Sequence, residues 1–173
     1  VILYCTSLGL GTVWLGGTFN KGKFAKAVEL KDGYVLPVVS PVGYEGGRRS
    51  PIGFLIGNKH NKRDSFSSLF HKDDFYTPLT KKDAGIYSDA LEAVRLAPSS
   101  LNCQPWRVVL NDDGLHFYST KTKDINKIDM GIALCHLDSV FEEQMVKGRF
   151  KILNPNIKTD YEYVISWIPD MYF

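Results

Sequence analysis

At 173 residues, with 44% apolar and 23% charged side chains, the chain has the size and composition of one ordinary globular domain, able to bury roughly 70% of its unfolded surface. Its formal charge of +2 comes with no block of like charges, so neither nucleic acid nor an anionic membrane is favoured as partner. Cys5, Cys103 and Cys135 are widely spaced with no C-x-x-C pair, which argues against a disulfide framework or a zinc site, and no apolar run approaches the roughly 18 residues of a membrane span. A cytoplasmic location is the expectation.

In chain order, Ile2, Leu3 and Cys5 to Leu8 read as the last turns of a helix stopped by Gly9. The opening residue is Val1, inside an apolar segment, so a leading part is expected to be missing. Gly9 to Gly17 form a glycine-rich turn, and "NKGKFAKAVEL" suggests a short helix over about 21 to 28. "YVLPVVSPV" is β-branched but carries Pro37 and Pro41, the mark of an edge or broken strand. Gly43 to Asn61 reads as loop, "RDSFSSLF" as a short helix and Thr77 to Thr80 as a connector.

A clearer helix follows, with Thr80 and Asp83 in capping-box spacing and Tyr87, Ala90, Leu91 and Val94 on one face. It ends near Ala97, because Pro98 disfavours helical geometry in the residue before it. Arg107 to Leu110 and Leu115 to Ser119 form a strand pair around "NDDG", and Met130, Leu134, Leu137, Phe141 and Met145 mark a second helix from about Asp129 to Val146. "RFKIL" and "YEYVISWI" are late strands, and the class is α+β. The order apolar helix, turn, strand occurs twice, with Tyr34 and Tyr163 corresponding at a separation of 129 residues.

Two segments carry more chemistry than packing requires. "LGLGTVWLGG" lacks the third glycine of the dinucleotide fingerprint and follows a helix, not a strand. It reads either as a helix C-cap with a tight turn or as a backbone that lies flat against a planar ligand. "APSSLNCQPW" supplies two prolines, two serines, an asparagine and a glutamine where a brief turn would suffice. Its side chains could satisfy a helix end while Trp106 packs into the core, or could face a nucleotide-like cofactor. His60, His71, His116 and His136 show no partner pattern for catalysis or metal binding.

"RLAPSSLNCQPWRVV" resembles the A-P-S-x-x-N-x-Q-P-W segment of the nitroreductase family of flavin-dependent oxidoreductases. "LGLGTVWLGG" is similar to the family's glycine segment, and "GIALCHL" to the helix before it. In that family the glycine segment follows the A-P-S segment, whereas here it precedes it, as in the tandem group in which one polypeptide mimics the homodimer. The resemblance implies a nitroreductase-like fold, a mixed or antiparallel sheet flanked by helices. It further implies a pseudo-dimer of two repeats, residues 1–76 closing the first and residues 77–173 forming a second, degenerate one.

The resemblance also implies an FMN site. Gly9, Leu10, Gly11 and Thr12 would lie along the isoalloxazine with backbone N–H groups. Pro98, Ser99, Ser100 and Asn102 would reach it from the other repeat, with Gln104 mainly structural and Trp106 in the core. "NKHNKRDSF" is similar to the family's late basic segment, making Lys62 and Arg63 phosphate candidates. The family's early S-x-R motif has no match. The implied activity moves electrons from NAD(P)H to a nitroaromatic, quinone or similar acceptor, with no protein acid or base and no metal. The protein would act as a pseudo-dimeric monomer or a homodimer, without nucleic acid or membrane. A flavin carrier or sensor without turnover, and a ligand-free interaction module, are the alternatives.

Overall fold

The structure is a computed structural model that describes residues 1–16, 19–44, 46 and 62–170. The chain divides into two compact units, residues 1–58 and 59–173. The repeat boundary expected after residue 76 falls inside the second unit. The loop expected over Gly43 to Asn61 lies almost wholly outside the described residues, as do Gly17 and His60. No described helix is long and apolar enough to cross a membrane.

In the first unit, α1 (Ile2–Ser7) closes as the sequence requires. Gly9 takes φ +72°, its N–H donates to Thr6 O (3.0 Å), and the Leu10 N–H donates to Cys5 O (2.9 Å). This is a Schellman closure, in which glycine accepts the left-handed conformation that a Cβ resists. β1 (Gly11–Thr12) follows, then α2 (Lys21–Ala27), whose N-cap Asn20 accepts from the Lys23 N–H at 3.1 Å. β2 (Val42–Gly43) pairs antiparallel with β1. A bridge between Leu15 and Val39 continues the same register, so the two segments form one ribbon interrupted opposite Pro41, which has no N–H to give. The expected broken strand is therefore present, but Tyr34 stands outside it, exposed in coil.

The second unit carries a five-stranded sheet in the order β3-β4-β5-β7-β6, with β3 parallel to β4 and the other neighbours antiparallel. Its strands are β3 (Phe70–Lys72), β4 (Trp106–Asn111), β5 (Gly114–Ser119), β6 (Gly148–Lys151) and β7 (Glu162–Pro169). The expected helix in "RDSFSSLF" is α3 (Phe66–Leu69), one turn only. Phe70 then extends into β3, a strand too short for an alternation signal.

The Thr80–Asp83 capping box forms, with Asp83 N–H donating to Thr80 Oγ1 at 3.1 Å and Thr80 Oγ1 donating to Asp83 Oδ2 at 2.5 Å. It closes a preliminary turn, not the helix itself. A 3-10 turn (Gly85–Tyr87) follows, begun by Gly85 at φ +54°, and runs directly into regular α4 (Ser88–Leu96). α5 is longer than its apolar stripe suggested, Asp124–Glu143, and Met145, expected on that stripe, lies beyond its end at φ +56°, 80% exposed.

The α4 face of Ala90, Leu91 and Val94 and the α5 face of Met130, Ala133, Leu137 and Phe141 are buried with Trp106, Val108, Leu115, Phe117 and Trp167 of the sheet in one core. Each fully buried Leu or Phe side chain contributes about 1.5–3 kcal/mol through removal from water. Period-two alternation turns His116 and Tyr118 of β5 away from the helices. There Asn111 Oδ1, which accepts the Asp113 N–H (2.9 Å), also accepts from His116 Nε2 (2.8 Å). That fixes the tautomer and leaves Nδ1 to accept from the Ser166 hydroxyl at 2.7 Å, which in turn contacts the Tyr163 hydroxyl at 2.8 Å. Phe75, Tyr118, Tyr161 and Tyr163 pack edge to face beside this chain of hydrogen bonds.

Candidate functional site

The segment Ala97 to Trp106 joins α4 to β4. Ala97 turns extended (ψ 142°) ahead of Pro98, which ends the helix at Leu96. Ser99 is also extended, and the chain then tightens into a 3-10 turn (Ser100–Asn102) closed by Asn102 N–H to Ser99 O (3.0 Å) and Cys103 N–H to Ser100 O (3.1 Å). Leu101, Asn102 and Gln104 adopt φ of 52°, 54° and 43°. Three non-glycine residues in the left-handed region within four positions store strain, of order 1–3 kcal/mol each.

Side chains hold that strain in place. Asn102 Nδ2 donates to Lys62 O (2.7 Å) and Asn102 Oδ1 accepts from Arg63 Nη1. Arg63 Nη2 reaches Leu96 O at 3.3 Å. Gln104 is buried: its Oε1 accepts the Asp64 N–H (2.9 Å), and its own N–H donates to Ser99 Oγ at 2.9 Å. Ser100 N–H donates to Asp129 Oδ1 of α5 at 2.8 Å, and Arg107 Nη1 donates to Gln104 O (3.1 Å) and Trp106 O (2.7 Å). The structure therefore brings Lys62, Arg63, Ser99, Ser100, Asn102 and Gln104 together around one turn, with Pro98 at its entrance. Trp106 is fully buried in the core as expected, and its Nε1 has no hydrogen-bond partner among the described residues.

Burial, and behind it the nearby Arg95 guanidinium, lowers the Arg63 pKa from the ordinary arginine value. Arg95 is held at the same turn by Asp64 O (3.3 Å) and by a two-point pair with Glu92 at 2.8 and 2.6 Å. Lys62 is exposed. The cationic side of the turn thus has Arg63 and Arg95 fixed by hydrogen bonds and Lys62 in solvent.

Gly9, Leu10, Gly11 and Thr12 belong to the first unit. The N–H groups of Gly9 and Leu10, expected to face a ligand, close α1 instead. Alternation in the β1–β2 pair turns one of the Gly11 and Thr12 N–H groups toward β2 and the other toward the opposite edge. A Cβ at Gly9 would meet nothing within 4 Å, so the residue's surface is open and its requirement is conformational.

Sequence reasoning missed Asp129, Asn126, Asp64 and Arg107. Asn126 and Asp129 are buried polar residues one helical turn apart on α5, and that i, i+3 spacing was the available signal. Among the described residues no group of three or more His, Cys, Asp or Glu is placed to hold a metal. A surface cavity of about 330 Å³ between α5 and the start of β7, lined by Lys121, Asn126, Met130, Leu134 and Tyr163 among others, includes none of the cofactor-site residues expected from sequence.

A mixed sheet with two helices on one face, and a strained polar turn leading from helix to central strand, define an α+β protein whose candidate site lies on a connection, not in a cavity. The model of the family described as "Putative TM nitroreductase" matches residues 1–140, and the chain belongs to that nitroreductase family. A solved structure described as a "putative nitroreductase" from Thermotoga maritima msb8 matches with a TM-score of 0.62 at 20% identity, over 96% of this chain and 59% of that one. The likeness is one of fold, and the chain spans about 59% of that protein's length. No curated protein matches the chain.

Proposed function

We propose that the chain is part of an FMN-dependent oxidoreductase that uses NAD(P)H to reduce a nitroaromatic, quinone or similar acceptor. One observation carries the reading: Asn102 joins the A-P-S segment to the basic segment through Arg63 and the Lys62 carbonyl, so two stretches 39 residues apart in sequence share one surface. The donor set fits a flavin's polar parts, with an exposed ammonium and a fixed guanidinium for phosphate, and hydroxyls and an amide for the polyol and ring edge. Lys62 and Arg63 would hold the phosphate, and Pro98, Ser99, Ser100 and Asn102 would meet the polyol and ring.

Bound FMN would supply the redox step, exchanging hydride and electrons that no side chain here can carry. The protein's own contribution is positional. The strained turn enters binding already ordered, so little conformational entropy remains to be lost on association. Residues 1–76 closing one repeat and residues 77–173 forming a degenerate second one, in a pseudo-dimeric monomer or a homodimer, remain part of this reading. It is supported by the order of the two motifs.

A second reading, a ligand-free interaction module, is favoured by the internal engagement of Ser99, Asn102 and Gln104 and of the Gly9 and Leu10 N–H groups. Anaerobic mixing of the FMN-loaded chain with NADH or NADPH separates the possibilities. Loss of flavin absorbance, restored by a nitroaromatic or quinone, supports the oxidoreductase. Bound flavin that neither nucleotide bleaches would select a carrier, and absence of bound flavin the module.

A further inference from the structure

We propose that Asp129 is the positioning residue of the Ser99–Asn102 turn, holding from the buried side of α5 the geometry in which that turn meets the flavin. The inference rests on the FMN reading and names a residue outside the sequence motifs. Asp129 is 3% exposed. Its Oδ1 accepts the Ser100 N–H at 2.8 Å, and its Oδ2 accepts from Asn126 Nδ2 at 2.9 Å and from the Cys103 thiol at 3.7 Å. Asn126 Nδ2 also approaches Cys103 Sγ at 3.5 Å, so α5 grips the turn at both ends of its 3-10 segment.

The chemistry of the grip is specific. A buried carboxylate served only by neutral donors is costly to keep, and packing alone would be met better by an apolar residue. An apolar residue would, however, leave the Ser100 N–H without a partner at the step before Leu101 and Asn102 enter the left-handed region. The opposite side of the turn is fixed independently by Arg63 and the Lys62 carbonyl. Between the two clamps Leu101 stands 86% exposed, so the fixed turn presents an open surface. The same carboxylate, after burial itself, raises the Cys103 thiol pKa above the ordinary range, which gives a readout that needs no flavin.

The test compares the whole chain with Asp129→Ala and Asp129→Asn, all held well below their unfolding midpoints. Ser100 amide exchange, Cys103 alkylation mapped by peptide, and FMN affinity by fluorescence quenching are measured on each. Asp129→Ala should speed Ser100 exchange and Cys103 alkylation and weaken FMN binding, each by at least about tenfold. Asp129→Asn, which keeps an acceptor for Ser100, should restore most of the affinity. Asn126→Ala, which removes only the brace on Oδ2, should give a smaller change in the same direction and stands in if Asp129→Ala does not fold. A turn that is unaltered in Asp129→Ala, or loosened with FMN affinity unchanged, overturns the inference. No FMN binding by the unaltered chain removes the proposed function, and this inference falls with it.

Discussion

Asn102 and Arg63 are bonded side chain to side chain, and the same amide donates to Lys62 O at 2.7 Å, so one residue of the polar turn grips two consecutive residues of the basic segment. Asn102→Ala removes both hydrogen bonds and leaves a non-glycine residue at φ 54°. It should lower the unfolding free energy by about 1–3 kcal/mol in a urea titration, through the donors and acceptor left behind. Loss of less than a few tenths would show that the bridge is not formed in solution.

Leu101 is the converse case, because it pays for its backbone conformation with little packing in return. At φ 52° and 86% exposed, it should gain from Leu101→Gly, by roughly half a kcal/mol, since relief of left-handed strain exceeds the added chain entropy. Differential scanning calorimetry checks the sign; a clear loss of stability would mean that the side chain packs against something.

Gly148 has a steric role in β6. A Cβ there would fall 2.3 Å from Trp167 Cζ2 and 2.6 Å from Ile168 O. Gly148→Ala therefore overpacks the floor of the core and should cost about 1–3 kcal/mol with a change in tryptophan fluorescence. Unchanged stability would show that β6 does not lie against Trp167.

His116 sets a pH dependence. Burial holds its pKa below the ordinary 6.5, with Asp113 pulling weakly upward, and burial acts in the same direction on His71 and His136. A histidine with a lowered folded value takes up a proton on unfolding, so its stability contribution is full above about pH 6.5 and declines as pH falls toward the folded value. The urea midpoint should fall between about pH 7 and pH 5, and His116→Gln should flatten that slope. Asp74 and Glu92, whose carboxyls are held low, add a loss only below about pH 4. A slope unaffected by His116→Gln would place the titration at the other histidines.

What was legible in the sequence follows from how local each signal is. The α4 stripe, the stop before Pro98, the "NDDG" hairpin and the Gly9 closure each depend on neighbours a few residues away, and each is present. β3 was missed because three residues paired with a strand 38 positions later leave no pattern of their own. The polar turn is recognisable from its own residues, and its internal bonds follow the first of the two readings the sequence offers, without testing the second. Asp64, Asp129 and Arg107 reach it from sequence-distant places or from beyond it, and nothing in "APSSLNCQPW" announces them.

The most direct test of the central claim is a fluorescence titration of FMN with the purified chain, repeated with Arg63→Ala and Asn102→Ala. The account predicts quenching that saturates near one FMN per chain, and an affinity reduced about tenfold or more in both variants. Saturable binding that neither variant weakens would place the flavin elsewhere, and no saturable binding would contradict the claim.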